Sequence, residues 1–490
     1  MQDINELPPE LLSLIFWHRR GQCSQRDFDW LTVTWVCRRW RRVALAYPAL
    51  WRTIYDGMGR SDKSWIPTFL DRALGAPLVV AIVFSKDAQY TVQALAPHAH
   101  MLRVFRLHTT RRAVMLSSYN LIKTTFPFLE ELALACHPHQ DDPDSDVPPP
   151  ASYDLPRQNA PRLVDLDLCG LHFPWDSTVY SLLRSFRLSC PATRIPIHRL
   201  LLILQACLSL ESLSIMGALP FTGEPALHTT IAGPVSMPSL RSLEFLDGLA
   251  GITALCDKIM VPSSCKIIIH TYPLHPDLPL EESFAAIIPK YAVFRSLVQQ
   301  AYALILLSAE EQIRINVTLE SCSEPTVNIC LQRTIAEEAH MTTDLWEELL
   351  DAFCGAPLLD ATISYMFIEE FTLHMWRSFA SNFPRLETLR VGRQGMLNVG
   401  GVDVFMHLLV MVGGDAPEKP SFLRHLRFLE LRSLILDERT LEALVMVLEA
   451  RRDYGYPLAE LTLTEAYCRE TMDVDAVKRT LEQQVTLSIK

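Results

Sequence analysis

A six-residue pattern, leucine-x-x-leucine-x-leucine or a close variant, recurs along the chain: "LRVFRL" from residue 102, "LEELAL" from 129, "LVDLDL" from 163, "LRSFRL" from 183, "LESLSI" from 210, "LRSLEF" from 240, "LETLRV" from 386, "LRFLEL" from 426 and "LAELTL" from 458. Successive side chains of an extended strand point to opposite faces. Each occurrence therefore predicts a short strand with leucines on one face and variable residues on the other. Apolar residues at three-four spacing lie between some of them: Ile197, Leu200, Leu201 and Leu204; Trp346, Leu349, Leu350 and Phe353; Leu441, Leu444, Val445 and Leu448. That spacing predicts helices.

The starts are 27, 34, 20, 27 and 30 residues apart in the first cluster, and 40 and 32 apart later. Leucine-rich repeats run about 20–29 residues, so these are long and uneven members of that pattern. One such hexapeptide is cheap in a leucine-rich chain. Nine of them, mostly behind a proline or polar turn ("FPFLEEL", "APRLVDL", "MPSLRSL", "FPRLETL"), are not. The signature lapses between 246 and 385, where "KIIIH" (266–270), "IRINVTL" (313–319), "VNICL" (327–331) and "ATISYMF" (361–367) predict strands. The asparagine ladder usual after the third leucine is missing; His137, Leu171 or Asp247 and Gly248 stand nearby. The expected fold class is α/β, an irregular βα solenoid over 111–490 whose units bury their leucines against one another.

The first sixty residues follow another period. "ELPPELLSLIFWHRR" predicts a helix with Pro8 and Pro9 in its first turn and Leu12, Ile15, Phe16 and Arg19 at three-four spacing. Val33, Val36, Cys37, Trp40, Val43, Ala44 and Tyr47 form a second stripe, ended by Pro48, with Arg38, Arg39, Arg41 and Arg42 off it. The segment holds nine Arg, no Lys and six acids, a net of 9 − 6 = +3 in a chain of −11. A nucleic-acid patch would want a larger basic excess, with aromatics among the charges. The arginines alone would pass for a solvated face. The apolar side chains, however, outnumber what so small a unit buries alone, which predicts a docking surface.

Leu7-Pro8-x-Glu10-Leu11-Leu12-x-x-Ile15-Phe16, then Val36-Cys37-Arg38-Arg39-Trp40-Arg41-x-Val43-Ala44, then Pro48-x-Leu50-Trp51, resembles an F-box in the form common in fungal F-box-like proteins. The resemblance implies docking on a Skp-type adaptor and, through it, a cullin–RING ubiquitin ligase. It maps adaptor contacts onto Leu7, Pro8, Leu11, Leu12, Ile15, Phe16, Val36, Cys37, Trp40, Val43 and Ala44, with Leu50 and Trp51 closing the module. The stretch from Trp17 to Trp35 is longer and more polar than the compact F-box linker. The expected organisation is an F-box-like module over 1–60, a junction with the first repeat strands over 61–110, and the solenoid over 111–490. The acidic, proline-rich 139–159 is expected to be a disordered loop.

The chain has 490 residues, 49% hydrophobic and 21% charged, which fits a globular protein and disfavours nucleic acid as a general partner. Its twelve cysteines show no disulfide framework or zinc module, and "MQDINELPPE" lacks the features of a secretory signal. With no run long enough to span a bilayer, a cytoplasmic or nuclear protein without membrane contact is expected. The sequon at Asn316 sits in an alternating apolar stretch and reads as accidental. No P-loop, GxSxG, HExxH or dinucleotide fingerprint is present. Cys136-His137-Pro138-His139 has metal-ligand types but leads into a polar loop, and the Asp165/Asp167 pair reads as solvated strand, so neither metal, cofactor nor catalysis is expected. A target protein of unknown identity would contact the variable strand face, with Asp165, Asp167, Glu244, Arg390, Phe428 and Glu430 as candidates. A scaffold without ligase role, or an enzyme with a site inside 246–385, are the rivals.

Overall fold

A computed structural model describes residues 7–23, 28–57, 62–137, 155, 157–171, 173–191, 193–220, 233–271, 298–309, 312–319, 326–332, 343–364, 373–392, 423–433, 435–465, 467–468 and 473–489. The chain forms two compact units, essentially Met1–Leu219 and Arg241–Lys490, with the short intervening pieces divided between them.

The first unit opens with α1 (Pro9–Gln22) and α2 (Arg38–Leu45). It continues as β1 (Thr53–Gly57), α3 (Trp65–Ala73), β2 (Leu78–Val83), α4 (Ala88–Leu95), β3 (Leu102–Thr109), α5 (Arg112–Ile122), β4 (Glu131–Cys136), β5 (Asp165–Cys169), β6 (Ser185–Ser189), α6 (Ile197–Ala206) and β7 (Ser212–Met216). The seven strands pair in chain order, every pair parallel. Pairing begins at Thr53, ahead of the expected junction at 61–110. Of the expected disordered loop at 139–159, residues 139–154 and 156 lie outside the described residues; Leu155 is buried and Arg157–Asn159 form a 3-10 turn.

Most of the hexapeptides work in the same way. The first leucine closes a tight turn, with Leu129 N–H donating to Phe126 O (3.3 Å), Leu163 to Ala160 (3.2 Å), Leu210 to Cys207 (3.1 Å) and Leu386 to Phe383 (3.2 Å). The next residue donates to its counterpart one strand back: Val164 N–H to Glu130 O at 2.9 Å, Arg184 to Val164 at 2.8 Å, Glu211 to Arg184 at 2.7 Å. After several strands the chain turns through a left-handed residue, namely Phe84, Gly170, Cys190, Gly217, Ser433 or Glu465. Gly170 N–H then donates to Ser189 O (3.0 Å) and Cys190 N–H to Met216 O (2.7 Å). These main-chain bonds stand where an asparagine ladder would and give the turn N–H groups of Gly170 and Cys190 their partners. Gly170 has φ +70°, and a Cβ there would lie 2.1 Å from Cys136 O. Gly170→Ala is therefore expected to destabilise the protein by about 2 kcal/mol or more, read as a lower denaturant midpoint with an unchanged slope.

The second unit runs β8 (Val235–Ser236), β9 (Ser242–Asp247), α7 (Leu249–Cys256), β10 (Ile259–Met260), β11 (Lys266–Thr271), β12 (Ala301–Ala309), β13 (Gln312–Leu319), β14 (Val327–Gln332), α8 (Thr343–Ala352), β15 (Asp360–Ser364), α9 (Leu373–Asn382), β16 (Thr388–Gly392), β17 (Phe428–Arg432), β18 (Ile435–Leu436), α10 (Glu438–Asp453), β19 (Glu460–Thr464), β20 (Tyr467–Cys468), α11 (Val474–Glu482) and β21 (Thr486–Ile489). Its main sheet is ordered β9-β11-β14-β13-β12-β15-β16-β17-β19-β21. Two short parallel pairs, β8 with β10 and β18 with β20, stand apart.

Only β13 runs against its neighbours among these described strands. A three-stranded meander is thus inserted into the parallel array, with its outer strands β12 and β14 aligned with β15 and β11. The meander accounts for part of the lapse in the leucine signature, over 301–332, because antiparallel neighbours need no βα crossover between them. Asn316, the sequon residue, lies mid-strand on β13 opposite Asn328 and Ile305.

Candidate functional site

The N-terminal module is assembled around aromatic rings. Pro9 occupies the first turn of α1, where a missing N–H costs nothing, and Leu12 and Phe16 turn inward. The Phe16 and Trp40 ring centroids are 5.0 Å apart, joining α1 to α2. Cys37 caps α2, its sulfur accepting from Trp40 N–H at 3.4 Å. Trp51 Nε1–H donates to Ala44 O at 2.9 Å, satisfying a carbonyl at the open end of α2. Arg39 reaches back to the Leu7 carbonyl.

The module is not self-contained. Trp30, Trp51 and Phe69 are buried together, with Trp30–Trp51 at 5.2 Å, Trp51–Phe69 at 5.1 Å and Trp65–Phe69 at 4.9 Å. Two of those rings come from α3, beyond the expected boundary. The Arg72 guanidinium covers the Trp51 ring at 4.4 Å. Arg20 lies 4.6 Å over Trp30 and donates to Thr53 O at 2.9 Å, tying α1 to β1. Burial, with Arg52 nearby, brings the Arg20 pKa down to about 10. A buried polar knot completes the junction: Asp56 on β1 pairs with Lys63 and accepts from Thr91 Oγ1 at 2.5 Å, and Lys63 donates to Ser85 Oγ at 3.1 Å.

The residues expected to contact an adaptor divide into three sets, buried, half-buried and exposed. Leu12, Phe16, Ala44, Leu50 and Trp51 are at most 1% exposed. For Leu12, Phe16 and Ala44 the expected place on the surface is corrected: they lie in the module's own core, where α1 and α2 face each other, while Leu50 and Trp51 are buried beside them. Leu7, Cys37, Trp40 and Val43 are half-buried, and Pro8 is exposed. Leu11, Ile15 and Val36 are open to solvent at 46, 43 and 60%. Two further residues belong with them, Leu14 (57%) and Trp35 (73%). Leu11, Leu14 and Ile15 share one arc of α1, being three and four residues apart. A groove of about 590 Å³ between α1 and α2 is lined by Pro9, Leu14, Arg42, Val43, Ala46 and Tyr47.

On the variable strand face of the first unit, Asp165 stands beside Glu131 and Ser185, and Asp167 beside Ala133 and Arg187. The face is mixed in sign, with Arg106 and Arg187 among the acids. Arg106 engages Glu131 through two bonds, one at 2.9 Å, and Arg187 Nη1 lies 3.6 Å from Asp167. Desolvation, with the Glu131 charge, holds the Asp165 carboxyl above its usual range. Desolvation also raises Asp167, against the opposing pull of Arg187 and His108. A larger groove of about 730 Å³, lined by Arg157, Trp175, Tyr180, Arg199 and Leu202 among others, sits beside α6. Nothing in the periodicity signals it.

In the second unit the structure brings three of the expected contact residues together. Arg390, Phe428 and Glu430, with Thr388, Glu460 and Thr462, line a concavity of about 330 Å³ on β16, β17 and β19. Arg390 bonds Asp360 at 2.5 Å and lies 3.3 Å from Glu430. Glu430 accepts from Arg432 at 2.7 Å and Thr464 at 3.0 Å. Burial works against its ionisation, but those two bonds and the Arg432 and Arg390 charges prevail and lower its pKa. Glu244 lies apart on β9, opposite Ile268.

Among the described residues no group of three or more His, Cys, Asp or Glu is arranged to hold a metal ion. Burial pushes the Cys169 thiol up to about 11 and those of Cys207 and Cys265 to about 12, which suits packing and not nucleophilic attack. No described helix is long and apolar enough to cross a membrane.

Residues 4–56 match the F-box-like family. No curated protein matches the chain. Among solved structures, "Crystal structure of TLR13-ssRNA13 complex" aligns over 85% of this chain and 46% of that one, at 13% identity and a TM-score of 0.31. The chain thus spans under half the length of that structure.

Proposed function

We propose that the chain is a non-catalytic substrate receptor of a Skp–cullin–F-box type ubiquitin ligase. Its N-terminal module docks on a Skp-type adaptor, and its strand array holds a target protein while other subunits transfer ubiquitin. The observation that carries this reading is the set of open apolar side chains, Leu11, Leu14, Ile15, Trp35 and Val36, on a module that matches the F-box-like family. A stable interface buries about 1,600 Å² in total, and clustered apolar anchors supply most of its energy. The receptor contributes proximity, turning an encounter between ligase and target into a reaction within one assembly.

The test is reconstitution. The full chain, co-expressed with a Skp-type adaptor and a cullin–RING pair, is expected to co-purify with both. Ubiquitin transfer to proteins held by the array is expected to stop when the adaptor is omitted. Failure of the adaptor to stay bound at micromolar concentration would overturn the reading. Adaptor binding without cullin recruitment would instead mark a scaffold.

A further inference from the structure

We propose that the concavity on β16, β17 and β19 receives a positively charged side chain of the target protein, arginine before lysine, with its cation laid on Phe428 and paired with Glu460. This rests on the array being the target-holding surface and names the chemistry that surface selects.

Phe428 is 42% exposed although it stands within a sheet strand, and its register partner on the adjoining strand is Glu460. Neighbouring strands lie about 4.8 Å apart, so a cation over the ring is within reach of that carboxylate. The other charges in the concavity are already matched. Arg390 is held between Asp360 at 2.5 Å and Glu430 at 3.3 Å, so it offers little to an incoming anion. Glu430 is engaged by Arg390, Arg432 and Thr464. Glu460 accepts from Thr462 Oγ1 at 3.2 Å and has no cation within ion-pair distance among the described residues. A carboxylate has about four acceptor positions, which leaves room for two guanidinium donors. The lining charges, one arginine against Glu430 and Glu460, sum to 1 − 2 = −1. The volume is at the small end of ligand sites, suited to one side chain. A planar guanidinium both stacks on an aromatic face and forks to a carboxylate, whereas an ammonium does only part of this.

The full chain would be titrated by fluorescence anisotropy against labelled glycine–serine octapeptides carrying a central arginine, lysine, citrulline or glutamate. Citrulline keeps the shape of arginine and removes its charge. The expected order is arginine, lysine, citrulline, with arginine about 10-fold above citrulline. Phe428→Leu and Glu460→Gln are each expected to bring arginine down to the citrulline level, with Tm unchanged as the folding control. Equal binding of arginine and citrulline, or a preference for glutamate, would overturn the inference. So would an arginine preference that survives both substitutions, including one lost in Leu202→Ala at the groove beside α6. Adaptor co-purification is measured on the same proteins. A negative peptide result with the adaptor retained removes this inference alone, and loss of the adaptor from the unaltered chain strikes the ligase reading alone.

Discussion

Leu11→Asp combined with Ile15→Asp is expected to abolish co-purification of a Skp-type adaptor while leaving the thermal midpoint of the chain within a few degrees of its starting value. Both side chains lie on the open arc of α1 and contribute little to the internal core. Truncating one apolar anchor at an interface costs about 2 kcal/mol or more, and placing a carboxylate against an apolar partner adds desolvation. A loss of at least about 100-fold is therefore expected. Leu12→Ala is the contrasting substitution. Leu12 is fully buried, so its loss should lower stability by about 2–5 kcal/mol and weaken adaptor binding only as far as the module unfolds. An adaptor that tolerated both aspartates and released only Leu12→Ala would place its contacts elsewhere.

Trp51→Ala is the second large effect. The ring is buried among Trp30 and Phe69, is covered by Arg72, and satisfies the Ala44 carbonyl. Removing it leaves a cavity, takes one donor from the Ala44 carbonyl and strips the half-exposed Arg72 guanidinium of the ring it covers. Aromatic-to-alanine changes in cores cost about 3–5 kcal/mol, a large part of the 5–15 kcal/mol typical of a domain. The expected result is a fall in Tm of the first unit together with loss of adaptor binding, checked by calorimetry and co-purification. Trp51→Phe keeps most of the ring contacts and drops the hydrogen bond, and is expected to cost about 1–2 kcal/mol.

The nine hexapeptides all fall on strands because period-two alternation behind a closing turn has few other realisations. What they could not mark were strands without that turn. β1 is short and polar at Tyr55 and Asp56, β2 is hidden in a continuous apolar run, and β12 ("AYALILLSA") could equally have been a buried helix. Which apolar residues of the N-terminal module stay exposed was only half legible. A stripe announces an apolar face but not whether the chain itself or a partner covers it, so Leu12 and Phe16 went to the core while Leu11 and Ile15 did not. Leu14 stood in plain view three positions from Leu11. Trp30 did not, since its partners Trp51 and Phe69 meet it only in three dimensions. Arg106 follows from the alternation already used for Asp167, as the first variable-face charge before Glu131.

The aromatic seam between the module and α3 bears on how deletion experiments are cut. A piece ending near residue 60 would bare Trp30 and Trp51, strip β1 of its neighbour and leave Asp56 without Lys63, so its silence in a capture assay would report a damaged polypeptide and not an absent affinity. The shortest informative piece has to carry Trp65 and Phe69 and extend through the second strand, so that the adaptor meets a surface shaped as it is in the whole molecule.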